Sequence, residues 1–596
     1  MNIIGFSGLH NSVSFKKGEF PNLPPRLYHV CQGFDSAAAL VTNDGVQAAA
    51  AEERFTGDKG TGAFPINAIR YCLANANIDL NGVDCIAHSF SYNRFKSFFD
   101  HNDFYRKQFV EVYSEGSLLR CIEQFLPSVD WRTKFVSVPH HLAHAASTFY
   151  MSGFEESLIL VADAMGEIHS TTIAIGTKEG IKIVKQIPAV HSFGILYGVF
   201  TLFLGFEMGS DEYKVMGLAP YGNPNRYFGK TLDLVRFHDD GTYSIPILFS
   251  NNTLEEKETY TGTIRALEEV FGPCREPGAD VTQNHMDIAA ALQSVLQAGL
   301  MHVLRYAKKE TSQNNLCMAG GVALNCTANS VISRSHMFKD IFVQPAAGDD
   351  GSALGAALYV QRQHHSHLIY RRMKLPAWGP SFDLKTIERS LMNRPECEAI
   401  LYESFEELIE DIVQRIVEQQ VVAWFQGRME FGPRALGFRS ILADPRDPEM
   451  RVHINRVVKN REEFRPFAPV VTAEAASRFF EVEAGKESLY AHMLFVTQTR
   501  ADYRTHLPAV THVDGSARVQ IIFKEDNPRL WTLLRRFEQA SAMPVLLNTS
   551  FNLRGQPIVC TPVQAIDTFI ASSLDVLVME DYVITRRRRD ASGIGR

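Results

Sequence analysis

The chain has 596 residues, 45% of them apolar and 21% charged, with a formal net charge of -7. That length exceeds what one hydrophobic core holds, so at least two domains are expected. With a pI near 6.3 there is no basic footprint for nucleic acid or an anionic membrane, although a local basic site for a phosphorylated small molecule is compatible with it. The nine cysteines are scattered singly. Without a CxxC pair or a dense framework they read as reduced thiols of a cytoplasmic protein. The N-terminus lacks a basic stretch followed by an apolar one, so no secretory signal is expected. No run of 18 apolar residues occurs, so no membrane span is expected either.

In chain order, Asn2 to Ser7 reads as a short buried strand and the Pro-rich Phe20 to Pro25 as a loop. Ser36 to Thr42, Asn43-Asp44-Gly45 and Val46 to Ala51 form a hairpin signal, because Asn, Asp and Gly tolerate the positive φ of a tight turn. Ser157 to Ala162, a Gly-containing turn and Thr171 to Ile175 repeat that form. The echo predicts two related halves. Apolar spacing predicts a helix from Met286 to Lys309. Cys317 to Ala319 reads as a strand entering a Gly turn and then a helix. Residues 361–380 hold His364, His365, His367, three arginines and two prolines without periodicity, and read as a linker. A second α/β domain is expected over 381–596, with a helix from Phe405 to Gln419, strands Val421 to Phe425 and Val545 to Leu547, and a frayed basic tail from Arg586.

Val138-Pro-His140-His141-Leu-Ala-His144 is the sharpest local signal. Residues four apart on a helix share one face, so His140 and His144 can reach one ion; His141 is an alternative at i,i+3 from His144. Imidazole suits iron, zinc or nickel. Acidic ligands must complete the site, and Asp163, ending an apolar strand, and Asp349, in the Gly-flanked loop Ala347 to Gly351, are the candidates.

Gly320-Gly321-Val-Ala-Leu-Asn325 resembles a phosphate cradle, since glycine amides and the following helix N-terminus attract anions. Gly33-Phe34-Asp35-Ser36 is a second close-approach loop, and Lys59, between Gly57 and Gly62, can reach a phosphate. Gly427-Arg428-Met-Glu430-Phe-Gly432-Pro-Arg434-Ala-Leu-Gly437-Phe-Arg439 sets three arginines in a Gly-rich run. Guanidinium forks bind phosphate bidentately. Arg434 and Arg465 sit among Pro, Phe, Ala and Gly, where an arginine usually has an anionic partner. Arg456, Lys459 and Arg461 read instead as a solvated face. Arg518 and Asn548-Thr-Ser550 add further polar groups.

Several segments in order resemble the O-carbamoyltransferase family of antibiotic, other natural-product and nodulation chemistry. They are Asp35-Ser-Ala-Ala-Ala-Leu-Val, Ala50-Ala-Glu-Glu-Arg-Phe, His140-His-Leu-Ala-His144, Lys214-Val-Met-Gly-Leu-Ala-Pro-Tyr-Gly, Ala319-Gly-Gly-Val-Ala-Leu-Asn, Gln344-Pro-Ala-Ala-Gly-Asp349, Gly427 to Gly437, Arg465-Pro-Phe-Ala-Pro and Leu547-Asn-Thr-Ser-Phe-Asn. The resemblance implies an actin-like domain of two related subdomains over 1–360 and a YrdC-like α/β domain over 381–596. It implies that ATP, with Mg(2+), and carbamoyl phosphate give a carbamoyl-adenylate, whose carbamoyl group passes to a hydroxyl of a small acceptor at an iron(II) site, another divalent metal being an alternative. Carried onto this chain, the metal and catalytic residues are His140, His144, Asp163 and Asp349. Lys59, Gly320, Gly321 and Asn325 hold the nucleotide, and Arg434, Arg465, Arg518, Asn548 and Ser550 the carbamoyl phosphate. A homodimer is compatible with this picture.

One departure concerns the acceptor side. Many members follow the first strand at once with His-Asp-Ser-Ala-Ala; here Phe34 precedes Asp35, and Leu9 to Gln32 intervene. His10 and Asp35 are therefore the acceptor-site candidates, and an altered pocket is expected. The weighed alternatives are a tRNA carbamoyl-modification factor, a non-catalytic nucleotide-binding regulator of the same fold, and a plain metallohydrolase, which HxxxH serves poorly without the glutamate of HExxH.

Overall fold

The computed structural model describes residues 1–364, 371–459 and 461–587; His365, His367 and the tail beyond residue 587 lie outside them. The chain divides into two compact units, Met1–Pro376 and Ala377–Arg596.

The first unit contains two five-stranded sheets built alike. In one, strands Ile3–Phe6, Ala37–Thr42, Gly45–Ala51, Cys85–His88 and Phe135–Ser137 take the spatial order 3-2-1-4-5. In the other, Ser157–Ala162, His169–Thr177, Gly180–Pro188, Asn315–Ala319 and Asp340–Val343 take the same order. In each sheet the first three strands form an antiparallel meander, and the fourth and fifth run parallel to the first. The hairpin echo in the sequence thus marks a real internal repeat, and the unit has the expected α/β form of two related subdomains.

The repeat extends to the helices. The fifth strand of one half leads into the helix His140–Ser152, and that of the other into Asp349–His364. These two helices pack on each other between the sheets. Their faces are small: a Cβ on Gly355 would clash with the carbonyl of Ala143, and one on Gly5 of the first strand would clash with the carbonyl of Ala353. Asp350 to Leu358, Val360 and Gln361 of Asp349–His364 are buried, which fits a core helix with no polar stripe over most of its length. Its end enters the segment read as a linker: Gln361 is buried and its amide donates to the carbonyl of Thr42.

The insertion after the first strand leaves the sheet intact because its ends meet. The Leu9 N–H donates to the Gly33 carbonyl at 3.1 Å, closing a compact loop over a helix, Ser12–Glu19. The long helix extends from Gln283 to Thr311. It is long and apolar enough to cross a membrane, but 78% of its apolar window is buried in the unit, so packing accounts for its hydropathy.

The second unit is built on an eight-stranded sheet, in the order Cys397–Leu401, Tyr582–Arg586, Val576–Met579, Val422–Phe425, Arg439–Ala443, Val545–Ser550, Ala468–Thr472 and Gln520–Ile522. Its strands alternate between two cores. Val422, Trp424 and Leu546 face the helices Phe405–Val417 and Pro528–Ser541, whereas Ala423, Phe425 and Leu547 face the other core. This is the period-2 reading of strands buried on both faces.

Because the two buried helices touch through a glycine, Gly355→Ala should cost about 1–3 kcal/mol of overpacking. Its Tm, read by calorimetry, should fall by several degrees, whereas Gly180→Ala, in open space, tests only the backbone conformation and should cost less.

Candidate functional site

The internal repeat brings four ligand-type side chains to one place. His140 and Asp349 each open the helix that follows the fifth strand of their half, so they occupy equivalent positions. Asp349 is thus the first residue of a helix and not a loop aspartate. His144 lies one turn beyond His140, and Asp163 follows the first strand of the second half. One donor atom from each of His140, His144, Asp163 and Asp349 falls within 4.8 Å of the others.

His140 Nε2 is 3.1 Å from His144 Nε2, 3.3 Å from Asp163 Oδ2 and 3.3 Å from Asp349 Oδ1, and His144 Nε2 is 3.5 Å from Asp349 Oδ1. Ligands about 2.1 Å from a shared ion stand about 3.0–3.4 Å apart, so these spacings suit a common centre. Both imidazoles are fully buried. His140 Nδ1 donates to the Ser89 carbonyl at 3.0 Å, which orients the ring so that Nε2 is the atom that faces the shared centre. Asp163 is oriented by the Gly321 N–H, which donates to its Oδ1 at 3.0 Å. The His140 N–H donates to Glu167 at 2.8 Å, and Phe90 stacks on the His140 ring with centroids 4.0 Å apart.

The electrostatics fit a cation. Burial alone would lower the His140 pKa, but the carboxylates of Asp349 and Asp163 outweigh it and hold it well above the ordinary value. Burial likewise opposes ionisation of the two aspartates, yet the histidines hold both below the carboxylate range. As metal ligands the imidazoles must be neutral, and the set then carries a charge of -2, which a divalent ion balances. The donor set is nitrogen and oxygen with no thiolate, suited to iron and its neighbours. His141 takes no part: its Nδ1 lies 2.7 Å from Thr172 Oγ1, and burial holds the ring neutral.

Beside this cluster, Asp35 lies in the left-handed region, φ 52°. Its Oδ2 is 3.9 Å from where a Cβ on Gly348 would sit. Burial, then the charges of Asp350, Glu53 and Asp349, push its pKa up, and Lys59 opposes them. Lys59 is exposed, with its ammonium 5.8 Å from the Tyr213 ring centroid. His10 is exposed; its Nδ1 accepts the Phe64 N–H at 3.1 Å and its ring edge meets Phe125. The Gly pair is adjacent to the cluster: Gly320 has φ 91°, and its N–H donates to the Ala347 carbonyl at 2.8 Å. Asn325, expected at the nucleotide, instead caps the helix Cys326–Arg334 and pairs with Gln293 through two bonds of 3.0 and 2.9 Å.

In the second unit, topology gathers the remaining candidates at one end of the eight-stranded sheet. Arg434, Arg465 and Arg518 precede strands Arg439–Ala443, Ala468–Thr472 and Gln520–Ile522, and Ser550 ends the antiparallel Val545–Ser550. Lys459, expected on a solvated face, is buried there: its ammonium donates to the Ser550 carbonyl and, at 2.8 Å, to Asn552 Oδ1. Arg461 stacks on Phe467 at 4.5 Å and donates to Asn455 at 2.7 Å, so only Arg456, paired with Glu463 at 2.9 Å, lies on an exposed face. Asn548, expected to bind ligand directly, is 1% exposed and donates to Gln520 Oε1 at 2.7 Å. Sequence reasoning passed over Gln520 and read Lys459 as solvated; neither stands in a Gly- or Pro-rich run like those of Arg434 and Arg465.

Chelation should remove one equivalent of divalent metal and lower Tm, and Asp163→Ala should weaken rebinding by at least about tenfold. Each ion bound displaces the proton held at His140. Affinity should therefore fall about tenfold for each unit by which pH is lowered below the raised His140 pKa, as metal titrations at several pH values will show.

Two family models match the chain. Carbamoyltransferase N-terminus covers residues 29–358 and Carbamoyltransferase C-terminus residues 413–586. The chain is 38% identical to nodulation protein NolNO of Sinorhizobium fredii over 97% of its own length and 82% of that protein's. It is 40% identical to nodulation protein NolO of Bradyrhizobium diazoefficiens over 75% of its length and 79% of the relative's. An uncharacterized Synechocystis protein is 38% identical over 93% of this chain and 95% of its own. Extensive matches to both models and to long relatives make this enzyme a member of the carbamoyltransferase family.

Proposed function

We propose that the chain is a metal-dependent O-carbamoyltransferase working in two stages, one in each unit. In the second unit, carbamoyl phosphate takes up water to give carbamate and phosphate. The carbamate oxygen then attacks the α-phosphorus of ATP, releasing pyrophosphate and leaving carbamoyl-adenylate. In the first unit, an acceptor hydroxyl attacks the carbamoyl carbon, its proton leaves, AMP departs, and an O-carbamoyl product forms. Arg434, Arg465 and Arg518 suit a small dianion, because guanidinium groups at one sheet end offer forked, charge-assisted donors. Ser550, steadied by Lys459, adds a hydroxyl.

His140, His144, Asp163 and Asp349 would hold iron(II) or a similar divalent ion, which supplies Lewis acidity toward a carbonyl oxygen. The chain's own residues do the rest. Ser89 and Gly321 fix the orientations of His140 and Asp163. Lys59 with Gly320 and Gly321 would meet the nucleotide, and Mg(2+) would accompany ATP. Asp35, whose burial among acidic neighbours favours holding a proton, faces the acceptor side with His10. The acceptor is a hydroxylated small molecule. Nine cysteines without a disulfide favour the cytoplasm as the compartment.

The four-residue cluster within 4.8 Å in a chain of this family carries the reading. His144→Ala should abolish carbamoyl transfer, followed by mass spectrometry over a panel of hydroxylated natural products, while pyrophosphate release from ATP that depends on carbamoyl phosphate persists. Arg465→Ala should instead cut that release by about a hundredfold, the scale of losing one charged, preorganised donor. Loss of both activities in a folded His144→Ala protein would contradict the division into two stages.

A further inference from the structure

The turn from Arg434 to Arg439 has few backbone partners of its own and is held largely by buried side chains. Glu430, 1% exposed, accepts the Leu436 N–H at 2.7 Å, the Arg439 N–H at 3.3 Å and the Phe438 N–H at 3.4 Å on one carboxylate oxygen. Gln520, fully buried, donates from Nε2 to the Leu436 carbonyl at 2.9 Å. Both polar groups of the Leu436 backbone are thus taken by side chains. Ser440 Oγ accepts the Gly437 N–H at 3.1 Å, and Gln520 is in turn fixed by Asn548. Gly437 has φ 95°, and a Cβ there would clash with Leu530, so the turn has one tolerated course.

The geometry explains why these residues share a face. Gln520 and Asn548 lie on strands that flank Ala468–Thr472, paired with Val470 and Ala468 respectively. Side chains two apart along a strand project to the same side, so both reach over that strand toward the turn. Each also sits beside a residue of the proposed anion site: Gln520 two after Arg518, and Asn548 two before Ser550. A buried side chain that satisfies backbone N–H and C=O groups rigidifies the turn they belong to, whereas its loss leaves those groups unsatisfied in a dry site.

From these contacts we infer that Glu430 and Gln520 are positioning residues that set the Arg434 turn for carbamoyl phosphate. This rests on the reading of the second unit given above. Neither residue touches the reacting atoms. Their work is to hold a flexible-looking Gly-rich turn at one height above the sheet, so that the guanidinium is ordered before its anion arrives and less is lost on binding.

The test uses the full-length enzyme, ATP and carbamoyl phosphate, with pyrophosphate release as readout. Gln520→Met keeps the side-chain length and removes both hydrogen bonds. It should raise the KM for carbamoyl phosphate at least tenfold while the KM for ATP stays within twofold. Glu430→Ala should do the same, and Glu430→Gln, which retains an acceptor oxygen, should restore most of the loss. If Gln520→Met fails to fold, Gln520→Glu, which loses only the donor to Leu436, should show the same split. An unchanged KM for carbamoyl phosphate in a folded variant, or equal rises in both KM values, overturns the inference when Arg434→Ala still raises the KM for carbamoyl phosphate. If Arg434→Ala also has no effect, the anion site itself is misplaced and the clamp falls with it.

Discussion

Two helices can approach until a backbone carbonyl meets a Cα only where no side chain intervenes, and that close approach underlies the first unit. Gly355 against Ala143 lets the helices His140–Ser152 and Asp349–His364 pack face to face between the two sheets. Because each is the helix after the fifth strand of its half, their first residues meet near the axis relating the halves. His140 and Asp349 are those residues. The helix N-termini contribute partial positive charge there, which eases the burial of Asp163 and Asp349.

That burial is costly without compensation, since an isolated carboxylate in a dry interior loses its hydration. The compensation is the set of four groups acting together. The imidazoles hold the carboxylates ionised, and the carboxylates hold His140 protonated. Such a cluster exchanges a proton for a cation readily. The second unit applies the same logic with opposite sign: arginines gather at one sheet end, where strand topology and not sequence proximity assembles them. In both units neutral groups hold the charged ones in place, Ser89 and Gly321 beside His140 and Asp163 in one, Gln520 and Asn548 beside the Arg434 turn in the other.

Much of this was legible in the sequence because it left local patterns. The two hairpins, each with its turn residues, announced the internal repeat, and His140 and His144 announced a shared helix face. Asp163 was visible as the polar end of an apolar strand. Asp349 was harder: its Gly-rich surroundings read as a loop, although Gly351-Ser-Ala-Leu-Gly-Ala-Ala is the small-residue pattern of a helix made for close packing. Asn325 and Asn548 carried the right chemistry, but capping and clamping absorb it, and such commitments depend on distant partners. Lys459 looked solvated because its sequence neighbours are charged; its burial against Ser550 comes from residues some ninety positions away.

The insertion after the first strand is accommodated by the bond between Leu9 and Gly33, which keeps its ends together and leaves the sheet intact. The cluster itself carries the account. Crystals grown with the copurifying metal, measured on both sides of its absorption edge, test it most directly. One anomalous peak bounded by His140 Nε2, His144 Nε2, Asp163 and Asp349 is the predicted result. A stoichiometrically bound metal located elsewhere, with these four side chains contacting only one another, would contradict it.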